Sequence, residues 1–296
     1  MVDYRSDQAA GLRRLFGREQ LRVVTFAAGC VSVGRTLAIA NLAAALARQG
    51  KEVLVFDENH ERNNLAPLFG HSPRHDLLHV VNREHKLQDV LVPVMTGVQV
   101  LPAARAVKKL GRLTLLQQEA LLQGLAGLER PADVILVDAA IDHPLGFSPL
   151  GLASQETIIT VSPGATAITE AYALIKKMSL GYARRHFRIL ITKVRSAAEA
   201  QAIFDNLARV SMQRLHTRLD YAGCIPLDDA LRQASRICQP VVLAFPDAQS
   251  ARVMRALATD LLDWPGSEGD PAGLEQFIEQ LLHLSQRIAP LPIHAG

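Results

Sequence analysis

The sequence predicts an α/β protein built on a mostly parallel, doubly wound sheet with helices on both faces. Three observations carry that expectation. Short β-branched runs alternate with helical segments from Leu21 onward, the pattern of strands buried on both sides. The first run passes through a glycine turn directly into a helical segment, VVTFAAGCVSVGRT (Val23–Thr36). Two later runs end in an aspartate, Asp57 in VLVFDENHERNN and Asp138 in VILVDAAID.

Taken in chain order, strands are expected at 22–26, 52–56, 98–102, 133–138, 157–162, 187–192 and 220–226. Helices are expected at 36–48, 114–127, 166–179, 196–215, 228–236 and 248–262. Trp264-Pro265-Gly266 and the residues to Pro271 punctuate the chain as a linker. A last helix follows at about 273–288. Leu274, Phe277, Ile278, Leu281, Leu282 and Ile288 share one face, opposite Glu275, Gln276, Glu279, Gln280 and Gln286. The chain thus divides into an N-terminal element (1–20), a main domain (21–264), and a linker with an amphipathic helix (265–296).

Composition narrows the class. The 296 residues are 49% hydrophobic, enough for one large core. The net charge of +3 comes without a strongly basic stripe, which argues against nucleic acid as the direct partner. Cys30, Cys224 and Cys238 lie far apart without metal-binding spacing and read as reduced thiols of a cytosolic protein. No apolar run reaches the roughly 18 residues of a bilayer-spanning helix. The N-terminus, MVDYRSDQ, lacks the apolar core of a signal peptide. His71, His75, His79 and His85 fall in one region without a cysteine or aspartate framework, and read as solvated surface.

The glycine turn carries the chemistry. A strand, a tight turn and a helix N-terminus leave unpaired N–H groups and the positive end of a helix dipole aimed at one spot. The phosphate-loop pattern G-x-x-x-x-G-K-S/T is met at Gly29, Gly34 and Thr36, but Arg35 stands at the lysine position. Asp57 and Asp138 end strands expected beside the loop strand, on the edge where open α/β sheets bind ligands. An aspartate there holds magnesium beside the Thr36 hydroxyl. The alternative is a strand-ending aspartate that caps its own loop.

These residues resemble the MinD/ParA class of P-loop ATPases, whose loop reads GKGGVGKT. Within it they are similar to the FlhG/FleN (YlxH) family of regulators of flagellar placement and number. The resemblance spans about 20–262, and four further stretches sharpen it. DQAAGLR (Asp7–Arg13) resembles the family's DQAxxLR element, and ITEAYALIKKM (168–178) its ITDAYALIK helix. Residues 191–210 resemble its VNRVRSxxEA segment, and 219–252 its LDYLGxIP segment.

The resemblance implies ATP and magnesium as cofactors. It places Gly29, Cys30, Val31, Ser32, Val33, Gly34, Arg35, Thr36, Thr192 and Pro226 at the nucleotide, Thr36, Asp57 and Asp138 at the metal, and Asp57 and Asn59 at the catalytic centre. It also implies that Asp7, Gln8, Leu12 and Arg13 contact an SRP-type GTPase, FlhF, with Gln8 nearest the catalytic water. A flagellar transcription activator or a switch-complex protein is a further implied partner.

The departures are several. Cys30 replaces the lysine that reaches across an ATP-sandwiched dimer, and Val31 and Ser32 replace two glycines, adding bulk near the phosphates. Arg35 offers a planar fork instead of a compact ammonium. Asn59 replaces the acid that positions the attacking water, and an amide accepts no proton. Thr192 replaces the asparagine that contacts adenine. Asn64 still matches the family. Together these predict weakened or absent hydrolysis, with the cradle either still binding nucleotide or kept as part of the fold alone.

Three readings stay open. One is a flagellar regulator acting through protein contacts. The second is an active ATP switch that dimerises and cycles on the membrane. The third is a ParA-like positioner of another cargo. Related proteins rest on the membrane through a C-terminal helix when ATP-bound. Here two glutamates and one arginine on the polar face are the wrong balance for anionic lipid. Docking of this helix on its own domain or on a partner stands beside membrane contact, and the expected location is the cytoplasm or the inner face of the inner membrane.

Overall fold

The computed structural model describes residues 21–60, 64–110, 113–128, 132–141, 148–154 and 156–264, and, beyond the linker, Phe277, Gln280, Leu281 and His283. Asp7, Gln8, Leu12 and Arg13 lie outside the described residues, as does most of the C-terminal segment.

Eight strands form one sheet: β1 (Arg22–Ala27), β2 (Val53–Asp57), β3 (Val92–Met95), β4 (Val98–Pro102), β5 (Val134–Asp138), β6 (Glu156–Val161), β7 (His186–Val194) and β8 (Arg218–Pro226). Their spatial order is β3-β4-β2-β5-β1-β6-β7-β8, and every pair is parallel except β3 with β4. The helices, in chain order, are α1 (Arg35–Arg48), α2 (Leu77–Val81), α3 (Leu87–Val90), α4 (Val107–Leu110), α5 (Leu115–Ala126) and α6 (Pro149–Ala153). They continue as α7 (Ala165–Tyr182), α8 (Ala197–Leu215), α9 (Asp229–Arg236), α10 (Val241–Ala244) and α11 (Gln249–Asp263).

The expected doubly wound sheet is therefore present, with one antiparallel edge. β3 is an addition to the strands read from the sequence. It is four residues long, and Pro93 is tolerated because β3 is an edge strand. The short turn into β4 uses Gly97 at φ 78°. One-turn helices such as α3, α4 and α10 are likewise too short to show a period.

β2 and β5 are buried at every residue, which is why their sequences run apolar without alternation. α1 is buried almost all round, from Ala38 to Leu46, between the sheet and α11. Its small side chains allow that close double contact. A second apolar cluster on the opposite face gathers Leu54, Phe56, Leu101 and Val137 with α2 and α5. Phe277 and Leu281 complete this cluster, 3% and 0% exposed, with the Phe277 ring centroid 6.2 Å from that of Phe56. The described part of the C-terminal stripe thus packs on the chain's own core. Among the described residues no helix is long and apolar enough to cross a membrane.

Candidate functional site

The loop between β1 and α1 sits at the C-terminal edge of the sheet and keeps the shape of an anion cradle. Gly34 lies at φ 90° and Ser32 at φ 63°. Ser32 therefore adopts the left-handed backbone that a glycine takes freely, at a cost of about 1–2 kcal/mol. The expected obstruction by bulk is thus met with strain at Ser32, while the side chain of Val31 stands 55% exposed. Gly29 is required by contact. A Cβ there would lie 2.3 Å from the backbone carbonyl of Glu170 in α7. Ala28 and Val33 pack on Ala167 of the same helix, with Cys30 alongside.

Beneath the loop three acids are buried together: Asp57 (3% exposed), Glu58 (0%) and Asp138 (0%). Asp57 and Asp138 are register partners across β2 and β5, and Asp138 also pairs with Phe26 of β1. Of β2 and β5, only β5 adjoins β1, so Asp57 stands one strand further from the loop strand than the sequence reading placed it. Arg35, 5% exposed, turns inward and forms an ion pair through Nε with Asp138 Oδ1. The contact is close but poorly aligned. Arg35 Nε and Nη1 and Asp138 Oδ1 lack a hydrogen-bond partner among the described residues.

Asn59 and Thr36 complete the network. The Thr36 hydroxyl donates to Asp138 Oδ2 at 2.7 Å and accepts from Asn59 Nδ2 at 3.0 Å. Asp57 is held by backbone donors, Asn59 N–H at 3.1 Å and Leu65 N–H at 2.7 Å. Glu58 accepts from Ala140 N–H at 3.0 Å and from the Ser148 hydroxyl.

Burial of three carboxylates around one guanidinium disfavours full ionisation. Asp57 is pushed well above the usual carboxylate range, first by desolvation and then by Asp138, against the pull of Leu65 and Asn59 N–H and of Arg35. Glu58 is pushed up to about 7 by desolvation, opposed by Ser148 and Ala140. Its folded value lies above its unfolded one, so the folded state binds more protons in between. Its contribution to stability is complete below about pH 4.5 and is lost as pH rises to about 7. Glu58→Gln removes the charge and keeps both contacts, the amide oxygen accepting from Ala140 N–H and the amide nitrogen donating to the Ser148 hydroxyl oxygen in place of the bond that hydroxyl donates now. The expected result is a urea-unfolding free energy that falls roughly 2–3 kcal/mol less between pH 5 and 8 than the wild type's. An unchanged pH dependence would show that Glu58 is not the titrating group.

A cavity of about 620 Å³ opens over the loop. Of the residues assigned to nucleotide, metal or catalysis, Cys30, Val31, Ser32, Val33, Gly34, Arg35, Thr36 and Asn59 line it. Gly29 is pinned against α7, and Asp57 and Asp138 lie buried below the lining. Thr192 is 2% exposed and donates its hydroxyl to the Val33 carbonyl, so it holds the loop instead of facing the cavity. Pro226 ends β8 beside Val194 and is not part of the lining.

Sequence reading missed Lys193. It lies at φ 58° at the end of β7, lines the cavity, and donates from Nζ to the Ser32 carbonyl at 2.5 Å. Its signal was a basic residue directly after Thr192. Cys238 and Ser235 also line the cavity from the end of α9. Away from it, His75, His79 and His85 are half-buried and pack ring on ring, with centroids 3.9–5.7 Å apart, instead of standing free in solvent.

The oxygens that face a magnesium position are already engaged. Asp138 carries the Arg35 guanidinium and the Thr36 proton, and Thr36 Oγ1 accepts an amide hydrogen. Magnesium demands a near-octahedral shell of free oxygens, and a guanidinium beside it is repulsive. No cluster of three acidic, histidine or cysteine side chains suited to a metal occurs among the described residues. Magnesium does not fit this arrangement.

A parallel sheet with a glycine loop opening a helix, and an aspartate at the end of the adjacent strand, defines a P-loop nucleotide-binding domain. A family model for the CobQ/CobB/MinD/ParA nucleotide-binding domain matches residues 24–241. The antiactivator FleN of Pseudomonas aeruginosa is 30% identical over 92% of this chain and 97% of its own length. The flagellum site-determining protein YlxH of Helicobacter pylori is 26% identical over 88% and 90%. In fold, the MinD cell division protein of Aquifex aeolicus superimposes with a TM-score of 0.62 at 19% identity, over 83% of this chain and 98% of that one. The chain belongs to the CobQ/CobB/MinD/ParA nucleotide-binding family, in its FlhG/FleN branch.

Proposed function

We propose that this protein is a MinD-like regulator of flagellar biosynthesis that sets flagellar number or placement through protein contacts, with ATP hydrolysis weakened or lost. The near full-length match to the antiactivator FleN and to a flagellum site-determining protein supports the flagellar setting over the positioning of another cargo. The observation that carries the loss of hydrolysis is the inward ion pair of Arg35 with Asp138, combined with an amide at Asn59. The first puts the loop's guanidinium where a magnesium ion would stand, so the phosphates lose the dication. The second leaves no carboxylate at that position to accept the water's proton. Loss of one preorganised charge contact costs about 3 kcal/mol of transition-state stabilisation, roughly a hundredfold in rate.

The partners in this reading are an FlhF-type SRP GTPase, docked by the N-terminal element through Asp7, Gln8, Leu12 and Arg13, and a flagellar transcription activator or switch-complex protein. Homodimerisation would follow nucleotide binding. The test is a phosphate-release assay with the full chain and a purified FlhF-type GTPase. The chain alone is expected to release no phosphate from ATP above background, and to raise GTP turnover by its partner at least tenfold. Gln8→Ala is expected to remove that stimulation. Stimulation that survives in Gln8→Ala would exclude the activator role assigned to this element.

A further inference from the structure

We infer that the cradle binds the phosphate chain of a nucleoside di- or triphosphate without magnesium, Arg35 serving as the site's resident cation. The inference extends the proposal that hydrolysis is lost, and it rests on where this chain puts its positive charge. A family phosphate loop offers a lysine to the phosphates and leaves the aspartate below it to a hydrated dication. Here one guanidinium occupies both places. It lines the cavity, is 95% buried by its 5% exposure, and sits against Asp138.

Its Nη1 is buried without a hydrogen-bond acceptor among the described residues, and its Nε has only the poorly aligned ion pair with Asp138. An unsatisfied buried guanidinium donor is costly, and an anion in the cavity relieves it. The free N–H groups at the start of α1 point to the same place. Gly34 precedes that helix, and among the described residues no side-chain oxygen caps them. Lys193 adds a second cation at the rim.

The same groups exclude the dication. Asn59 donates to Thr36 Oγ1, the oxygen that would ligate it, and an aspartate at this position could not. Both oxygens of Asp138 are engaged by Arg35 and Thr36. A cation arriving beside Arg35 would have to displace a buried ion pair, whereas a phosphate oxygen adds an acceptor to a guanidinium that lacks one.

The experiment is calorimetric titration of the full chain with ATP and with ADP, once in millimolar magnesium and once in EDTA. The expected result is binding with dissociation constants that agree within threefold in the two conditions. Arg35→Lys should gain at least a tenfold preference for magnesium, because a lysine in this place leaves Asp138 open. Lys193→Ala should weaken binding equally with and without the metal. A wild-type affinity that falls tenfold or more in EDTA overturns the inference, as does the absence of binding in both conditions. The wild-type comparison needs no variant to fold. A phosphate-release assay separates the two readings: magnesium-dependent turnover would sink the loss of hydrolysis, whereas magnesium-dependent binding without turnover would sink only this inference.

Discussion

Arg35→Met is expected to lower folding stability by about 3–5 kcal/mol at pH 8, the cost of leaving a buried charge without its partner. Methionine fills a similar volume, so packing is largely conserved and the loss is electrostatic. Without the guanidinium, Asp57, Glu58 and Asp138 face one another in a dry site, with 3%, 0% and 0% exposure. The folded-state proton affinities of Asp57 and Glu58 then rise further above the unfolded values. Protonation repairs the defect, so the deficit is small at pH 5 and grows as pH rises through the range where Glu58 titrates, near 7. Chemical denaturation of wild type and variant at pH 5, 6.5 and 8 measures this. A deficit that is the same at all three values would mean that Arg35 acts through packing alone.

Phe277→Ala is expected to cost about 3–5 kcal/mol, the range for deleting a buried aromatic ring. Phe277 is 3% exposed against Phe56, whose own neighbour in β2 is Asp57. For a domain of this size that loss lowers the unfolding midpoint by about 6–15 °C. An unchanged midpoint in a thermal scan would show that the ring is not part of the core in solution. The outcome also bears on the membrane reading. A face that holds Phe277 and Leu281 in the core is not available to lipid while it is docked.

The long elements were legible because periodicity accumulates over several turns. Helices α1, α5, α7, α8, α9 and α11 and seven strands begin and end within about three residues of the expected limits. β3 was not legible, since four residues including Pro93 give no period. The cradle was legible as a spacing of Gly29, Gly34 and Thr36. What escaped were properties that belong to pairs of residues distant in sequence. Arg35 reads as a phosphate ligand alone until Asp138, 103 positions on, is seen beside it. Thr192 reads as a base contact until its hydroxyl is found on Val33, and Lys193 lies in a matched segment without a role that its spacing would assign. The distance of Asp57 from the loop strand depends on strand order, which local patterns do not encode.

The loop is fastened to its surroundings at three points: Gly29 lies on the backbone of α7, Thr192 holds Val33, and Lys193 holds Ser32. Its shape is therefore largely set during folding, which lowers the ordering entropy left to be lost on binding an anion. Such a receptor works as a fixed mould.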